Sequence, residues 1–202
     1  MLIKTLPVGH LETNCYVVTD ENTLECAVID PGAEANTILD YLEDNRLRCT
    51  AVMLTHAHFD HIGALDEVLR ETGAVFYVNK KEEGGQLHGP AFKAPEDTIY
   101  YSDGDEVRVG SLVFRVMETP GHTPGGVTLI CGDSIFSGDT LFRGSCGRTD
   151  FPGGDLKLEL RSLKRIAELP GDYDVYPGHD MSTRLSAERE YNPYMRHAIE
   201  QL

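Results

Sequence analysis

The 202-residue chain has no Cys-x-x-Cys pair; its five cysteines, Cys15, Cys26, Cys49, Cys131 and Cys146, are widely scattered. An odd number at such spacings excludes a disulfide framework and a zinc–thiolate site, so reduced, mostly buried thiols are expected. No apolar run approaches the roughly 18 residues of a membrane span, and residues 1–7 lack a signal-peptide core. Positive charge is scarce: 18 Lys and Arg stand against 33 Asp and Glu, a net charge of −15. Such a surface repels phosphate backbones and anionic lipid, which argues against nucleic acid and membranes as partners. No repeat, low-complexity tract or Ser/Pro-rich linker interrupts the chain, so one domain spanning residues 1–202 is expected. With 41% hydrophobic and 25% charged residues, that domain can bury a core. A soluble cytoplasmic protein is the expectation, with no signal of its oligomeric state.

What is present begins with short β-type runs. Residues 15–19 and 26–30 flank the polar Asp20-Glu21-Asn22-Thr23 and predict a hairpin. Ile38, Leu39 and Leu42 recur at helical spacing after the Pro31-Gly32 break, and residues 51–55 form an apolar strand. Ile62, Leu65, Val68 and Leu69 predict one helix ended by Gly73, followed by a strand over 74–78. Residues 106–109 and 112–116 straddle Gly110-Ser111 as a tight hairpin, and 127–130 pairs with 134–136. Asp155 is placed to cap a helix carrying Leu156, Leu160, Leu163, Ile166 and Leu169. A strand at 174–176 and a helix from Ser182 complete a pattern of sheets covered by helices, an α+β arrangement.

The chemistry concentrates in Thr55-His56-Ala57-His58-Phe59-Asp60-His61, which holds three of the chain's eight histidines. It follows a strand and precedes a helix. In an extended turn residues i and i+2 face one side, so His56 and His58 can share an ion. Asp60 and His61, at the turn into the helix, suit a neighbouring ion. Three more ligand-type residues lie just past strand ends beside glycine: His122 in Pro120-Gly121-His122, Asp139 in Gly138-Asp139-Thr140, and His179 in Pro177-Gly178-His179. Any one of them reads equally well as a polar turn residue; the set of three points to a metal centre. Imidazole and carboxylate are donors that zinc, iron and manganese all accept.

This constellation resembles the metallo-β-lactamase superfamily: Asp30 ends an early strand, His-x-His-x-Asp-His spans 56–61, and His122, Asp139 and His179 follow in order. The resemblance implies a four-layer αββα sandwich with the site at one edge of its two sheets. It implies that His56, His58 and His122 hold a first divalent ion and Asp60, His61 and His179 a second. Asp139 would bridge the pair, and Asp30 would support a ligand rather than touch an ion. Two such ions, most simply Zn2+ with Fe or Mn as alternatives, lower the pKa of a shared water toward ~7 and stabilise a developing oxyanion. Asp60 could steer or accept the proton, and a thiolate leaving group needs little acid assistance. A small-molecule thioester is therefore the expected substrate.

Within the superfamily, a bridging Asp139 argues against the antibiotic-degrading β-lactamases, which place a cysteine among their second-site ligands. The absence of a flavodoxin-type domain disfavours the di-iron flavoproteins, and the acidic balance disfavours the RNA-processing branch. Residues 138–142 and 144–150 are similar to the short stand-alone members of the glyoxalase II group. Arg148 stands where long members use a lysine on a glutathione carboxylate, and its fork could bind one bidentately; pairing with Asp150 is the competing reading. Arg143 is a further candidate anion contact. The tyrosines of the long members correspond to Asp150 and Met181, and 23 residues follow His179 where those members carry a helical domain, so glutathione itself is not implied. Gly147-Arg148-Thr149-Asp150-Phe151 also resembles the mononuclear-iron persulfide dioxygenases, although Pro177-Gly178-His179 keeps the hydrolase-like glycine. Lactone hydrolysis and a non-catalytic metal scaffold are the remaining alternatives.

His10, His88 and His197 lack ligand-type neighbours and read as surface or packing residues, and Asn192-Pro193-Tyr194 as structural. Residues 80–85 read as a solvated loop, and 84–95 as a flap over the site.

Overall fold

A computed structural model of the chain describes residues 1–85 and 91–201. The first sheet grows outward from the expected hairpin, in which β2 (Thr13–Thr19) pairs antiparallel with β3 (Glu25–Ile29), Tyr16 opposite Ile29 and Thr19 opposite Cys26. Asp20 closes the turn, its carboxylate accepting from the Asn22 backbone N–H at 3.0 Å. On one side β1 (Leu2–Val8), which the hydrophobic pattern did not reveal, adds an antiparallel edge. On the other, β4 (Arg48–Met53), β5 (Val75–Asn79) and β6 (Ile99–Tyr101) follow in parallel. The first two crossovers are helical, through α1 (Ala35–Asp44) and then α2 (Phe59–Ile62) and α3 (Leu65–Thr72).

The periodicity of residues 62–69 predicts one helix where the structure has two. The backbone N–H of Ala64 donates to the Pro31 carbonyl at 2.9 Å, and a Cβ on Gly63 would stand 2.3 Å from the Gly32 oxygen. Docking on the 31–32 turn thus breaks the helix, whereas Gly73, at φ 63°, ends α3 as its position predicts.

The second sheet runs β7 (Glu106–Val109), β8 (Leu112–Glu118), β9 (Val127–Cys131) and β10 (Ser134–Gly138), all antiparallel. A small hairpin, β11 (Leu141–Phe142) with β12 (Ser145–Cys146), leads to α4 (Leu156–Ala167), whose Leu158 N–H is capped by Asp155 at 3.0 Å. Then β13 (Asp174–Pro177) pairs parallel with β10, and β14 (Thr183–Arg184) closes the edge. The helix expected from Ser182 is instead this strand followed by α5 (Leu185–Tyr191) and α6 (Pro193–Gln201). Asn192 separates the two helices: its side chain accepts from the N–H groups of Tyr194 and Met195, with Pro193 opening the new helix.

Strand alternation sorts the apolar side chains into three layers. Ala27, Ile29, Met53 and Tyr16 meet Phe114, Val116, Leu129 and Phe136 between the sheets. Val28, Val52 and Phe76 face Ile38, Leu42, Leu65 and Val68 of α1 and α3. Ile130, Ile135 and Val175 face Leu163, Ile166, Leu185 and Met195 of α4, α5 and α6. The result is the four-layer αββα sandwich. Among the described residues no helix is long and apolar enough to cross a membrane.

Phe114 is fully buried between the sheets and its ring lies 6.4 Å from that of Phe136. Phe114→Ala is expected to cost about 3–5 kcal/mol of stability, measured by urea unfolding; a loss below about 1 kcal/mol would show that the two sheets do not share this core.

Candidate metal centre

The strands that deliver the site all point the same way within their sheets. In the first sheet, parallel β3 and β4 end at Asp30 and at the 54–61 turn. In the second, β8, β10 and β13 share one direction and are followed by His122, Asp139 and His179. The Val127 N–H, donating to the Thr55 carbonyl at 2.9 Å, ties the two sheets together at this end. Residues far apart in the chain are thereby brought to one edge.

Three donor groups converge there, each with its ligand atoms within 4.8 Å of one another: His56, His58 and His122; Asp60, His61 and His179; and Asp30, His56 and His61. In the first, His122 Nε2 and His58 Nδ1 are 2.9 Å apart. In the second, Asp60 Oδ2 lies 3.1 Å from His179 Nε2 and 3.7 Å from His61 Nε2. Asp139 lies between these two. Its Oδ2 is 3.5 Å from His122 Nε2, 4.0 Å from His56 Nε2 and 3.6 Å from His179 Nε2, and its Oδ1 is 3.5 Å from His61 Nε2. All seven predicted ligands are thus brought together.

Four of the five rings have their other nitrogen engaged on the far side. His61 Nδ1 contacts Asp30 Oδ2 at 3.0 Å, His122 Nδ1 the Arg148 carbonyl at 2.7 Å, His179 Nδ1 the Leu11 carbonyl at 3.1 Å, and His56 Nδ1 the Thr55 hydroxyl at 3.1 Å. Such contacts fix ring orientation and leave Nε2 to face the centre. Asp30 thus meets His61 on the side of the ring opposite Asp60 and Asp139. Its carboxylate also accepts from the Thr55 N–H at 2.7 Å and the Thr55 hydroxyl at 2.6 Å, on a backbone held at φ 52°. Thr13 donates to Asp60 Oδ2 at 3.2 Å and so orients that ligand.

Whether these residues suit a cation can be tested on their own atoms. Among the described residues His56 Nε2, His61 Nε2 and Asp139 Oδ1 are buried with no hydrogen-bond partner. Orphaned donors and acceptors are costly, and three of them around one point are what a metal ion would satisfy. Burial, reinforced by neighbouring imidazoles, holds His56 well below the ordinary histidine value and His58 down to about 4. Both therefore present lone pairs at neutral pH, as ligation requires. Burial opposes protonation of His61 as well, but Asp139, Asp30 and Asp60 outweigh it and raise that ring to about 9. Burial would raise Asp60, yet His179 and His61 hold its carboxyl well below the usual range. The second group thus joins one ionised carboxylate to two imidazoles, and the donor set fits hard-to-borderline divalent cations.

Several residues that build the site gave little sign of it in sequence. Asn14 donates to the carbonyls of Pro177 (3.0 Å) and Asp180 (2.9 Å), and Tyr16 OH to Pro177 (2.5 Å), so the first sheet holds the His179 turn. Glu82, expected in a solvated loop, is only 4% exposed and bonds the backbone of the histidine turn. Its burial follows from the turn Lys80–Glu82, which the Asn79 side chain caps at 2.9 Å. Gly178 is required sterically: a Cβ there would lie 2.1 Å from Asp139 Oδ1 and 2.8 Å from His61 Cε1.

Above Asp139 opens a cleft of about 660 Å³ with Leu11, Phe59, Phe142 and Phe151 on its walls. His10, read as a surface or packing histidine, lines it too. Arg148 also lines it, but both its Nε and Nη2 donate to the Asp150 carboxylate at 2.7 Å while its guanidinium stacks 3.9 Å over Phe151. The competing reading of Arg148, an ion pair with Asp150, is therefore the one observed. Arg143 is exposed at the turn between β11 and β12 and is not among the residues that line the cleft. Of the expected flap over 84–95, Phe92 and Ala94 are packed into the core under the first sheet; His88 and Pro90, with the rest of 86–90, lie outside the described residues. His197 is exposed on α6.

A family model described as the metallo-beta-lactamase superfamily matches residues 8–179. Hydroxyacylglutathione hydrolase GloC of Haemophilus influenzae is 30% identical over 96% of this chain and 98% of its own length. Among solved structures, the BLEG-1 B3 metallo-beta-lactamase superposes with a TM-score of 0.87 at 34% identity, covering 96% of this chain and 99% of that one. TTHA1623 in a di-iron-bound form gives a TM-score of 0.82 at 35% identity, covering 95% and 99%.

Gly178→Ala is expected to force a methyl against Asp139 and His61, lowering the metal content of purified protein while leaving the far-ultraviolet spectrum unchanged. Full metal content in this variant would refute the packing argument.

Proposed function

The chain belongs to the metallo-β-lactamase superfamily, and from that membership we propose that it is a binuclear metal-dependent hydrolase cleaving a small-molecule thioester of the hydroxyacyl–thiol type. The observation that carries this reading is the position of Asp139, within 4.0 Å of ring nitrogens from both donor groups. A carboxylate so placed suits sharing between two cations. His56, His58 and His122 would hold one and Asp60, His61 and His179 the other, with Zn2+ the first choice and Fe or Mn suited to the same donors. Bound there, such a pair supplies a water ionised near neutral pH and a Lewis acid for the scissile carbonyl oxygen.

The chain's own residues do the rest. Asp60, deprotonated and held between Thr13 and His179, would steer the attacking water or accept its proton while remaining a ligand. The apolar walls at Phe59, Phe142 and Leu11 exclude water from the acyl–sulfur bond and receive an uncharged arm. Arg148 spends Nε and Nη2 on Asp150 and keeps Nη1 for an anionic group of the thiol carrier at the cleft wall. The full-length likeness to GloC supports the thioester, and the di-iron relative supports two cations. The second reading is a mononuclear-iron persulfide dioxygenase, which the cleft position of Arg148 and Phe151 within Gly147–Phe151 keeps in the test.

The experiment supplies purified protein with an S-hydroxyacyl thioester, a persulfide, a lactone and a chromogenic β-lactam, following thiol release and O2 uptake together. Thiol release without O2 uptake is expected, abolished by chelation and restored by a divalent metal. Asp139→Ala should lose both turnover and bound metal. O2 uptake with one iron per chain, opening of the β-lactam or lactone alone, or no turnover on any substrate would overturn the proposal. Arg148→Glu should raise KM for an anionic thioester severalfold more than for a neutral one, and equal effects would remove Arg148 from substrate contact.

A further inference from the structure

Glu82 is a buried acid that the hydrolytic reading leaves without a task. It is 4% exposed, and both carboxylate oxygens are spent on backbone N–H groups from two different turns. Oε2 accepts from Ala57 at 2.7 Å, and Oε1 accepts from Gly125 at 2.8 Å. Ala57 is the residue between His56 and His58, and Gly125 lies three residues beyond His122. We propose that Glu82 is the positioning residue of the His56–His58–His122 site: one carboxylate clamps the two turns that carry these imidazoles and so sets their spacing. The proposal rests on reading the three imidazoles as cation ligands.

The clamp is built from both sides. A Cβ on Gly125 would stand 2.7 Å from Glu82 Oε1 and 2.9 Å from its Cγ and backbone N, so only glycine lets the turn approach. Glu82 itself is held by the capped turn Lys80–Glu82, and the capping Asn79 donates onward to Glu118 of β8 at 3.0 Å. Two backbone N–H groups, that of Gly125 buried and that of Ala57 partly so, need acceptors, and one carboxylate supplies both. The length of the side chain therefore dictates how far the 56–58 turn stands from the 122–125 turn. Within the first donor group, His58 Nδ1 and His122 Nε2 are 2.9 Å apart across that same junction, so a slip of either turn changes the bite offered to a cation. A glutamine cannot replace the acid, because its amide would present N–H to one of the two N–H donors.

Metal-stripped full-length protein titrated with Co2+, followed by visible absorption and against a competing chelator, tests this. The wild type is expected to take up two equivalents. Glu82→Gln should weaken one of them about 10–100-fold and alter its absorption band, leaving the other unchanged. Gly125→Ala should do the same by displacing the carboxylate. In the Glu82→Ala background the added methyl enters vacated space, so the two losses should be less than additive. Thermal unfolding of the metal-stripped forms separates this from a general loss of fold. Wild-type Co2+ affinity in Glu82→Gln, or additive losses in the double variant, would overturn the role of Glu82 alone. If Glu82→Gln does not fold, unchanged Co2+ binding by Gly125→Ala overturns it. A wild type that takes up no Co2+ overturns the ligand reading, and the clamp with it.

Discussion

Imidazoles and carboxylates drawn out of water to within a few ångströms of one another are an unfavourable arrangement by themselves. His56 Nε2, His61 Nε2 and Asp139 Oδ1 are buried with no hydrogen-bond partner among the described residues, and three carboxylates crowd His61. A positive charge at the centre compensates both costs at once, since it accepts the lone pairs and offsets the carboxylates. The rest of the molecule can be understood as the scaffold that keeps this collection from relaxing.

The scaffold works by convergence. Within each sheet the contributing strands run in one direction, so their exits open at the same end. The sandwich brings those two ends together, and the Thr55–Val127 backbone bond fastens them. Glycine then permits the last approach: at 178 any side chain would occupy the position of Asp139. The contacts of His61 with Asp30, of His122 with the Arg148 carbonyl and of His179 with the Leu11 carbonyl stop the rings from rotating toward a more comfortable geometry.

Acids behind the centre complete this support. Asp30 orders the Thr55 turn and His61, Glu82 takes the backbone of Ala57, and Glu159 of α4 takes the His122 N–H at 3.0 Å. Burial, with Asp139 nearby, raises the Glu159 carboxyl to about 9. In front of the centre the cleft is mainly apolar, and the guanidinium at its rim is already matched by Asp150. Negative charge is thus concentrated around the donor groups and not along the cleft walls.

Most of the elements and the candidate donors are written in local pattern. Alternating apolar residues, turn glycines and the Asp155 cap define most of the strands and α4 locally, and His-x-His-x-Asp-His carries its own chemistry in six consecutive residues. His122, Asp139 and His179 were legible because each stands beside glycine just past a strand. Tertiary structure alone decided what depends on partners distant in the chain. The 62–69 helix breaks only because Ala64 finds Pro31, and Arg148 turns to Asp150 as the two face each other over Phe151. Glu82 looks solvated in a run of Lys and Glu, and becomes buried only once the turns at 57 and 125 close upon it. A local pattern records which groups a residue carries; which buried N–H, carboxylate or ring it meets is settled when the two sheets pack.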